Sequence, residues 1–514
     1  MRNNRVWATL EQLAQKPEHK DLKHSIADVE RMEALTLQCG DLYLDCSKNW
    51  LSLQVFEQLQ QLAEASDLKA SIQKLFNLET VNTSENQAAG HTTLRDPNHQ
   101  NRKHNLERMK VLAERIKNNK ITTAFGKPVK QLVNIGIGGS YLGPRLAIEA
   151  LTDLQSESQI PVYFAASVDD SLINQLFQSI DIEHSLFCIS SKSFGTAETL
   201  MNAEAVIEKL KQRPGYLPND NQSSLMAITA KPERAKAIGI NDSMILPFDT
   251  TIGGRFSLWS SIGFPIMLAA GSDAFEEMLD GANIMDNHYL ETPFDKNMPV
   301  VLALIGIWYR NFIGLSGYAC LPYDARLRCF PKWLQQLMME STGKMHNLQG
   351  QTIDYPTSPW VFGDHGQLSQ HAFFQAFHQG IDALPMDFIG VLDHDSPSQR
   401  FLLFNMIAQG AALMSGESHE HIDNHDCPGN KPSTTLLLNS MNPKAVGQLL
   451  AMYEHMIYTQ SVIWNINCFD QPGVELGKKL AKRIEKHVQE NHLDDLPLDP
   501  STQNLIKKVM NHEG

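Results

Sequence analysis

The chain has 514 residues, of which 42% are hydrophobic and 20% charged, enough for about two to four well-buried domains. Its 44 Lys and Arg against 58 Asp and Glu leave a net charge of -14, which excludes a nucleic-acid partner needing a basic face but allows a small anion held by a few local donors. The seven cysteines, odd in number and without a CxxC pair, read as the reduced thiols of a cytoplasmic protein rather than a metal scaffold.

In chain order, "MRNNRVWATLEQLAQ" turns directly into a helical pattern without an uninterrupted apolar core, so no signal peptide is expected. The first hundred residues alternate helical patterns such as "NWLSLQVFEQLQQLAEA" with a polar stretch, "ETVNTSENQAAGHTTLRDP", that reads as a loop. From Gln131 the texture changes: the apolar runs "LVNIGI", "PVYFAAS", "SLFCIS", "SLMAITA" and "SMILPF" alternate with helical stretches, the pattern of a parallel sheet covered by helices. A second set follows Pro299, with "PVVLALIGIWYRNF", "DFIGVL" and "TTLLLN". The most apolar segment, "MPVVLALIGIWY", stops at Arg310, short of the roughly 20 residues that span a bilayer, so a soluble protein is expected. The pattern predicts an α/β protein of two units with flanking helices at both ends.

In "LVNIGIGGSYLG" a strand breaks into Gly136, Gly138, Gly139 and Ser140 before a helix begins. Glycines let backbone N–H groups and the positive helix end approach an anion. The dinucleotide spacing G-x-G-x-x-G fails at Tyr141, although Asp169 follows the next strand, and the Walker pattern fails because Pro144 and Arg145 follow Gly143. The turn alone leaves a dinucleotide, another phosphate and a plain tight turn open.

"CISSKSFGTAETL" releases Ser191, Lys192, Ser193 and Thr196 between a strand and a helix. These hydroxyls and the ammonium suit a phosphate, or else they cap the helix while the lysine faces water. In "TIGGRFSLWSSIGFP", Gly253 and Gly254 tighten the backbone before Arg255, whose rigid fork suits an oxyanion; the alternative is a surface arginine. In "WLQQLMMESTGKMHN", Gln336 and Glu340 lie four apart on one helical face, with Leu334 and Leu337 toward the core. Such a carboxylate is a candidate general base, an exposed pair being the commoner case. "GQLSQHAFFQAFHQG" places His371 and His378 a heptad apart on one Phe-rich helix. "SHEHIDNHDCP", with His419, His421, His425 and Cys427, fits no zinc spacing and reads as a solvated loop. "NINCFDQPGVELGKKLAKRIE" puts Gln471 at a turn and Lys478 on a basic helix.

Taken together, the motifs "IGIGGSYLG", "SSKSFGTAET", "GGRFSLWSSIGFP", "QQLMMESTGK", "QHAFFQAFHQG" and "INCFDQPGVELGKKL" resemble those of the glucose-6-phosphate isomerase family, over about residues 80 to 485. The resemblance implies reversible conversion of glucose 6-phosphate to fructose 6-phosphate in glycolysis and gluconeogenesis. It further implies a homodimer, no cofactor and no metal, and two sugar-isomerase-type three-layer α/β/α domains with mainly parallel sheets. On that pattern the chain divides into a helical segment 1–105, α/β domains 106–285 and 286–480, and a helical tail 481–514.

Carried over by motif, Gly139, Ser140, Ser191, Lys192, Ser193 and Thr196 match the sugar-phosphate site, with Gly254 in the glycine-arginine motif. Glu340 matches the general base, Arg255 the residue that stabilises a cis-enediolate, and Gln336 a substrate contact. His371 and Lys478 match groups implicated in ring opening, Glu198 the acid that orients that histidine, and Gln471 a residue at the phosphate end. Three positions depart from the pattern: Pro472 replaces a bulky Trp, and Gly195 and Ala197 stand where Thr and Gln are common. The competing class, a sugar-phosphate sensor, needs the phosphate cradle but not Glu340, Arg255, His371 and Lys478 together.

Overall fold

The computed structural model describes residues 5–154, 159–393, 396–418, 425–490, 492 and 495–511. The chain divides into two compact units, Met1–Cys468 and Phe469–Gly514.

Among the described residues the larger unit contains two sheets. β1 (Thr36–Cys39) and β2 (Leu42–Asp45) form a hairpin. β3 (Gln131–Ile135), β4 (Val162–Ala165), β5 (Ser185–Ser190), β6 (Leu225–Thr229) and β7 (Ile245–Pro247) follow, then β8 (Gly317–Pro322), β9 (Trp360–Phe362), β10 (Met386–Val391) and β11 (Thr434–Leu438). The five-stranded sheet runs β4-β3-β5-β6-β7 and is parallel throughout. All residues of β3, β5 and β6 are buried, because helices cover both faces and allow an unbroken apolar run instead of an alternating one. The six-stranded sheet runs β1-β2-β11-β10-β8-β9, parallel from β11 to β9 and antiparallel where the hairpin joins β11. This is the expected α/β architecture with mainly parallel sheets.

Four local expectations are corrected. The hairpin of β1 and β2 lies in the segment expected to be helical, and its two four-residue strands are too short to show against the helical texture around them. "PVVLALIGIWYRNF" is not a strand but the helix Met298–Ile307 followed by a π-helical turn, Trp308–Ile313. Pro299 sits in its first turn, where the missing N–H costs nothing, and apolar residues on all sides make a buried helix look like a buried strand. Within the polar stretch read as a loop, which is largely irregular, Gly90–Leu94 instead forms a fully buried 3₁₀ turn. His371 and His378 do not share a helix, since Gly366–Gln370 ends at His371 and a new helix, Phe374–Gln379, begins three residues later. The break lets Phe374 and Phe377 enter the core of the six-stranded sheet while His371 stays exposed.

In the smaller unit, the helices Gly473–Gln489 and Pro500–Met510 bury none of their residues, and Asp499 caps the second by accepting from the Thr502 amide.

Candidate active site

The order β4-β3-β5 fixes where a ligand belongs in the five-stranded sheet. The connection after β3 leads to β4 on one side, and the connection after β5 leads to β6 on the other. The crevice beyond the carboxyl ends of β3 and β5 is therefore a topological switch point, where no connecting chain blocks the approach. The glycine turn leaves β3 there and the serine-lysine loop leaves β5 there.

Gly138 adopts φ 57 as the helix Gly139–Ala150 starts, a conformation a side chain would strain. At Gly139 the reason is contact: a Cβ would lie 1.9 Å from the Gly254 carbonyl oxygen and 2.8 Å from the Arg255 amide nitrogen. The turn is thus a platform for the segment carrying Arg255. It is tied to the serine loop through Asn134, whose Nδ2 donates to the Ser140 carbonyl (3.0 Å) and whose Oδ1 accepts from Ser190 Oγ (2.6 Å).

In the serine loop, Ser191 Oγ lies 3.3 Å from Thr196 Oγ1. Thr196 occupies the N-cap position of the helix Ala197–Lys211 yet makes no side-chain capping bond, so helix capping does not account for that hydroxyl. Burial lowers the Lys192 pKa, with Glu85 and Asp249 raising it in part. Ser193 is exposed and Glu198 half-buried in the first turn of the helix.

Arg255 sits in the 3₁₀ helix Gly254–Trp259 and is buried, not a surface arginine. Its Nη1 is 3.2 Å from Glu340 Oε1, with the two side chains 2% and 20% exposed. Nε donates to Ser341 Oγ at 2.6 Å, and Nη2 donates to the Cys468 carbonyl. Glu340 ends a π-helical turn, Gln336–Glu340, and Gln336 Nε2 donates to its Oε2 at 2.9 Å. A Cβ on Gly138 would meet Gln336 Nε2 at 3.0 Å, which brings the base segment back to the glycine turn. Leu334 and Leu337 are buried, as the helical-face reading requires. The π turn itself was not legible, although widened helical turns of this kind recur at functional sites.

Behind the Arg255 turn lies a buried charge network with no sequence signal of its own. Arg95 Nη1 is 2.6 Å from Glu454 Oε2 and Nη2 is 2.9 Å from Asp286 Oδ1. Trp259 Nε1 donates to Glu454 at 3.0 Å, with the Arg95 guanidinium 4.9 Å from the Trp259 ring centroid. Asp286 Oδ1 is also 2.6 Å from His455 Nε2. Burial pushes the Glu454 carboxyl up to about 7, against the pull of Arg95. The network grips the far end of the 3₁₀ helix whose near end carries Arg255.

The remaining candidates lie on other elements. His371 is exposed, and within this chain it makes no hydrogen bond with Glu198 among the described residues. Gln471 and Lys478 belong to the smaller unit, where Lys478 Nζ is 3.4 Å from Glu475 Oε1. Asp169, the residue a dinucleotide ribose would need, caps the helix Asp170–Ser179 by accepting from the Ser171 amide and hydroxyl. His419 and His421 lie outside the described residues. Among the described residues no three His, Cys, Asp or Glu side chains group closely enough to hold a metal, and no helix is long and apolar enough to cross a membrane.

A carboxylate paired with a guanidinium, held by the same glycine turn that is tied to a loop of hydroxyls and an ammonium, has the donors for a phosphoryl anion and a group able to accept a proton. A family model for phosphoglucose isomerase matches residues 45–506. Glucose-6-phosphate isomerase 1 of Chromohalobacter salexigens is 39% identical over 525 residues, covering 98% of this chain and 94% of that protein. Glucose-6-phosphate isomerase of an Acinetobacter baumannii strain is 38% identical, covering 98% and 96%. The crystal structure of a glucose-6-phosphate isomerase from Chlamydia trachomatis superposes with a TM-score of 0.88 at 29% identity, covering 100% of this chain and 99% of that one.

Proposed function

Since the chain belongs to the phosphoglucose isomerase family, we propose that Glu340 is its general base and Arg255 the cation that stabilises its intermediate. The chain interconverts glucose 6-phosphate and fructose 6-phosphate as an aldose-ketose isomerase. After ring opening, Glu340 takes the proton from C2 of the aldose and returns it to C1, so one carboxylate must face both carbons. The cis-enediolate between these steps carries its charge on oxygen, and a guanidinium already fixed on three sides pays no reorganisation cost to meet it. Gln336, bonded to the second Glu340 oxygen, orients the base and contacts substrate.

Gly139, Ser140, Ser191, Lys192, Ser193 and Thr196 hold the phosphoryl group, with Gly254 shaping the site; the switch-point position and a Thr196 hydroxyl that meets Ser191 Oγ instead of capping its helix support this. His371 and Lys478 serve ring opening, Glu198 orients the histidine and Gln471 lies at the phosphate end; their support is the motif match. The division 1–105, 106–285, 286–480 and 481–514 has the same support. The observation that carries the reading is the Arg255–Glu340 pair at 3.2 Å. Fructose 6-phosphate supplied to the protein with a glucose-6-phosphate-consuming coupling system should give turnover without added metal or nucleotide in the isomerase step. No turnover under any ionic condition would sink the reading.

The enzyme works as a cytoplasmic homodimer in which a second copy supplies His371. His371 is exposed at a helix break, the helix Gly366–Gln370 before it packs on the helix Pro397–Ser415, and these two helices expose Leu368, Phe401, Phe404 and Ile407; the described cysteines are all free. An apolar face of this kind calls for a partner. Inactive His371→Ala and inactive Glu340→Gln proteins should regain activity when their subunits exchange, because one site of the mixed dimer is then intact. No recovery in a proven heterodimer would contradict the shared site.

A further inference from the structure

The first half of the serine-lysine loop is bonded to the end of β6 and the chain that follows it. The Ser191 amide donates to the Ile228 carbonyl (3.0 Å), and the Ala230 amide and Thr229 Oγ1 both donate to the Lys192 carbonyl (3.0 and 3.2 Å). The short helix Pro232–Ala237 then carries Arg234 to the same loop, where Nη1 donates to the Ser193 carbonyl at 2.9 Å. Residue 195 sets how closely the guanidinium packs there. A Cβ on Gly195 would stand 3.1 Å from Arg234 Nη1 and 3.7 Å from Ser193 Oγ, and the Gly195 backbone is not in the left-handed region, so the glycine provides room rather than a turn. The space it leaves is bounded by a guanidinium on one side and a serine hydroxyl on the other. Apart from the Ser193 carbonyl, the Arg234 guanidinium has no hydrogen-bond or ion-pair partner among the described residues. An arginine offers five donors in a fork that matches phosphate oxygens, so most of its capacity is uncommitted.

We propose that Arg234 is an additional phosphoryl-binding residue of this chain, taking over at the loop from the hydroxyl that a threonine at position 195 would present. The inference rests on the sugar-phosphate reading of the 191–196 loop. It joins two features that are otherwise unconnected: a departure from the family's loop pattern at Gly195 and an exposed arginine held against that loop.

The test uses the full-length protein, fructose 6-phosphate as substrate and inorganic phosphate as competitive inhibitor. Arg234→Ala should raise the KM for fructose 6-phosphate and the inhibition constant of phosphate together, by about 3- to 10-fold at low ionic strength. Because the guanidinium is exposed, the difference from the parent should shrink in high salt. Gly195→Ala, which places a carbon against Nη1 without adding a hydroxyl, should reproduce part of this loss in the parent and add nothing to Arg234→Ala. Thr196→Ala serves as the reference for the loop itself. If Thr196→Ala raises both constants and Arg234→Ala leaves both unchanged, Arg234 is not a phosphate ligand and the loop reading stands. If neither variant moves them, the loop reading fails and the inference with it. A loss in Arg234→Ala that is insensitive to salt and matched by a lower melting temperature would assign the residue to loop structure and overturn the proposal.

Discussion

Two arginine–glutamate pairs lie at opposite ends of the 3₁₀ helix Gly254–Trp259, and they are built differently. Arg95 and Glu454 are 0% and 1% exposed, with Trp259, Asp286 and His455 closing the network around them. Arg255 and Glu340 are 2% and 20% exposed, and their 3.2 Å contact is looser than the 2.6 Å of the inner pair. A sealed ion pair gains little net stability, because desolvation cancels most of the attraction, but its geometry is hard to change. The outer pair leaves its carboxylate partly open, as a base that must meet substrate requires. The inner pair holds a turn in place and the outer pair uses it.

The largest effect expected is on stability. Arg95→Leu strips two buried carboxylates of their shared cation, so unfolding in urea should cost about 3 to 5 kcal/mol less than in the parent. A cost below about 1 kcal/mol would mean that the inner network is not the clamp described. Arg255→Lys should show the reverse profile: kcat lower by about 10²- to 10³-fold, with a smaller change in stability, because a lysine keeps the charge but not the fork to Ser341, Cys468 and Glu340. Equal losses of stability in the two variants would erase the distinction between the pairs.

A smaller effect concerns pH. The Glu454 carboxyl lies at about 7 in the folded chain against an ordinary 4.5, so between those values the folded chain holds a proton that the unfolded chain has released. Stability therefore falls as pH rises through this window, and the loss from this group is complete above about 7, on the order of 1 to 3 kcal/mol. Glu454→Gln should flatten that part of the profile when urea midpoints at pH 5 and pH 7.5 are compared. An unchanged slope would place the proton elsewhere in the network.

The outer site was legible in the sequence because its parts are local. The glycine turn at 136–140, the run of Ser191, Lys192, Ser193 and Thr196, and the one-face pair Gln336 and Glu340 are each a motif of about ten residues or fewer, open to several readings alone and pointing one way together. The inner network was not, because Arg95, Trp259, Asp286 and Glu454 are scattered over 359 residues and meet only after folding. For the same reason the buried 3₁₀ turn Gly90–Leu94 does not stand out from the loop around it: Gly90 and His91 meet Thr251 and Phe256, partners distant in sequence. Met298–Ile307 resembles a strand in sequence because a segment buried on every side has no periodicity to reveal. The break at His371 follows from Phe374 and Phe377 packing into a core that includes Phe388, again a tertiary cause.

The central claim is that Glu340 shuttles the proton between C2 and C1, and hydrogen exchange in deuterated water tests it most directly. Glu340→Gln keeps the shape of the side chain and removes the proton acceptor, so turnover should fall by about 10²- to 10⁴-fold while sugar-phosphate binding survives. Deuterium incorporation at C2 of glucose 6-phosphate, followed by NMR, should fall with it, because exchange and isomerisation share the enediolate. Exchange at the parent rate in Glu340→Gln would show that another residue is the base.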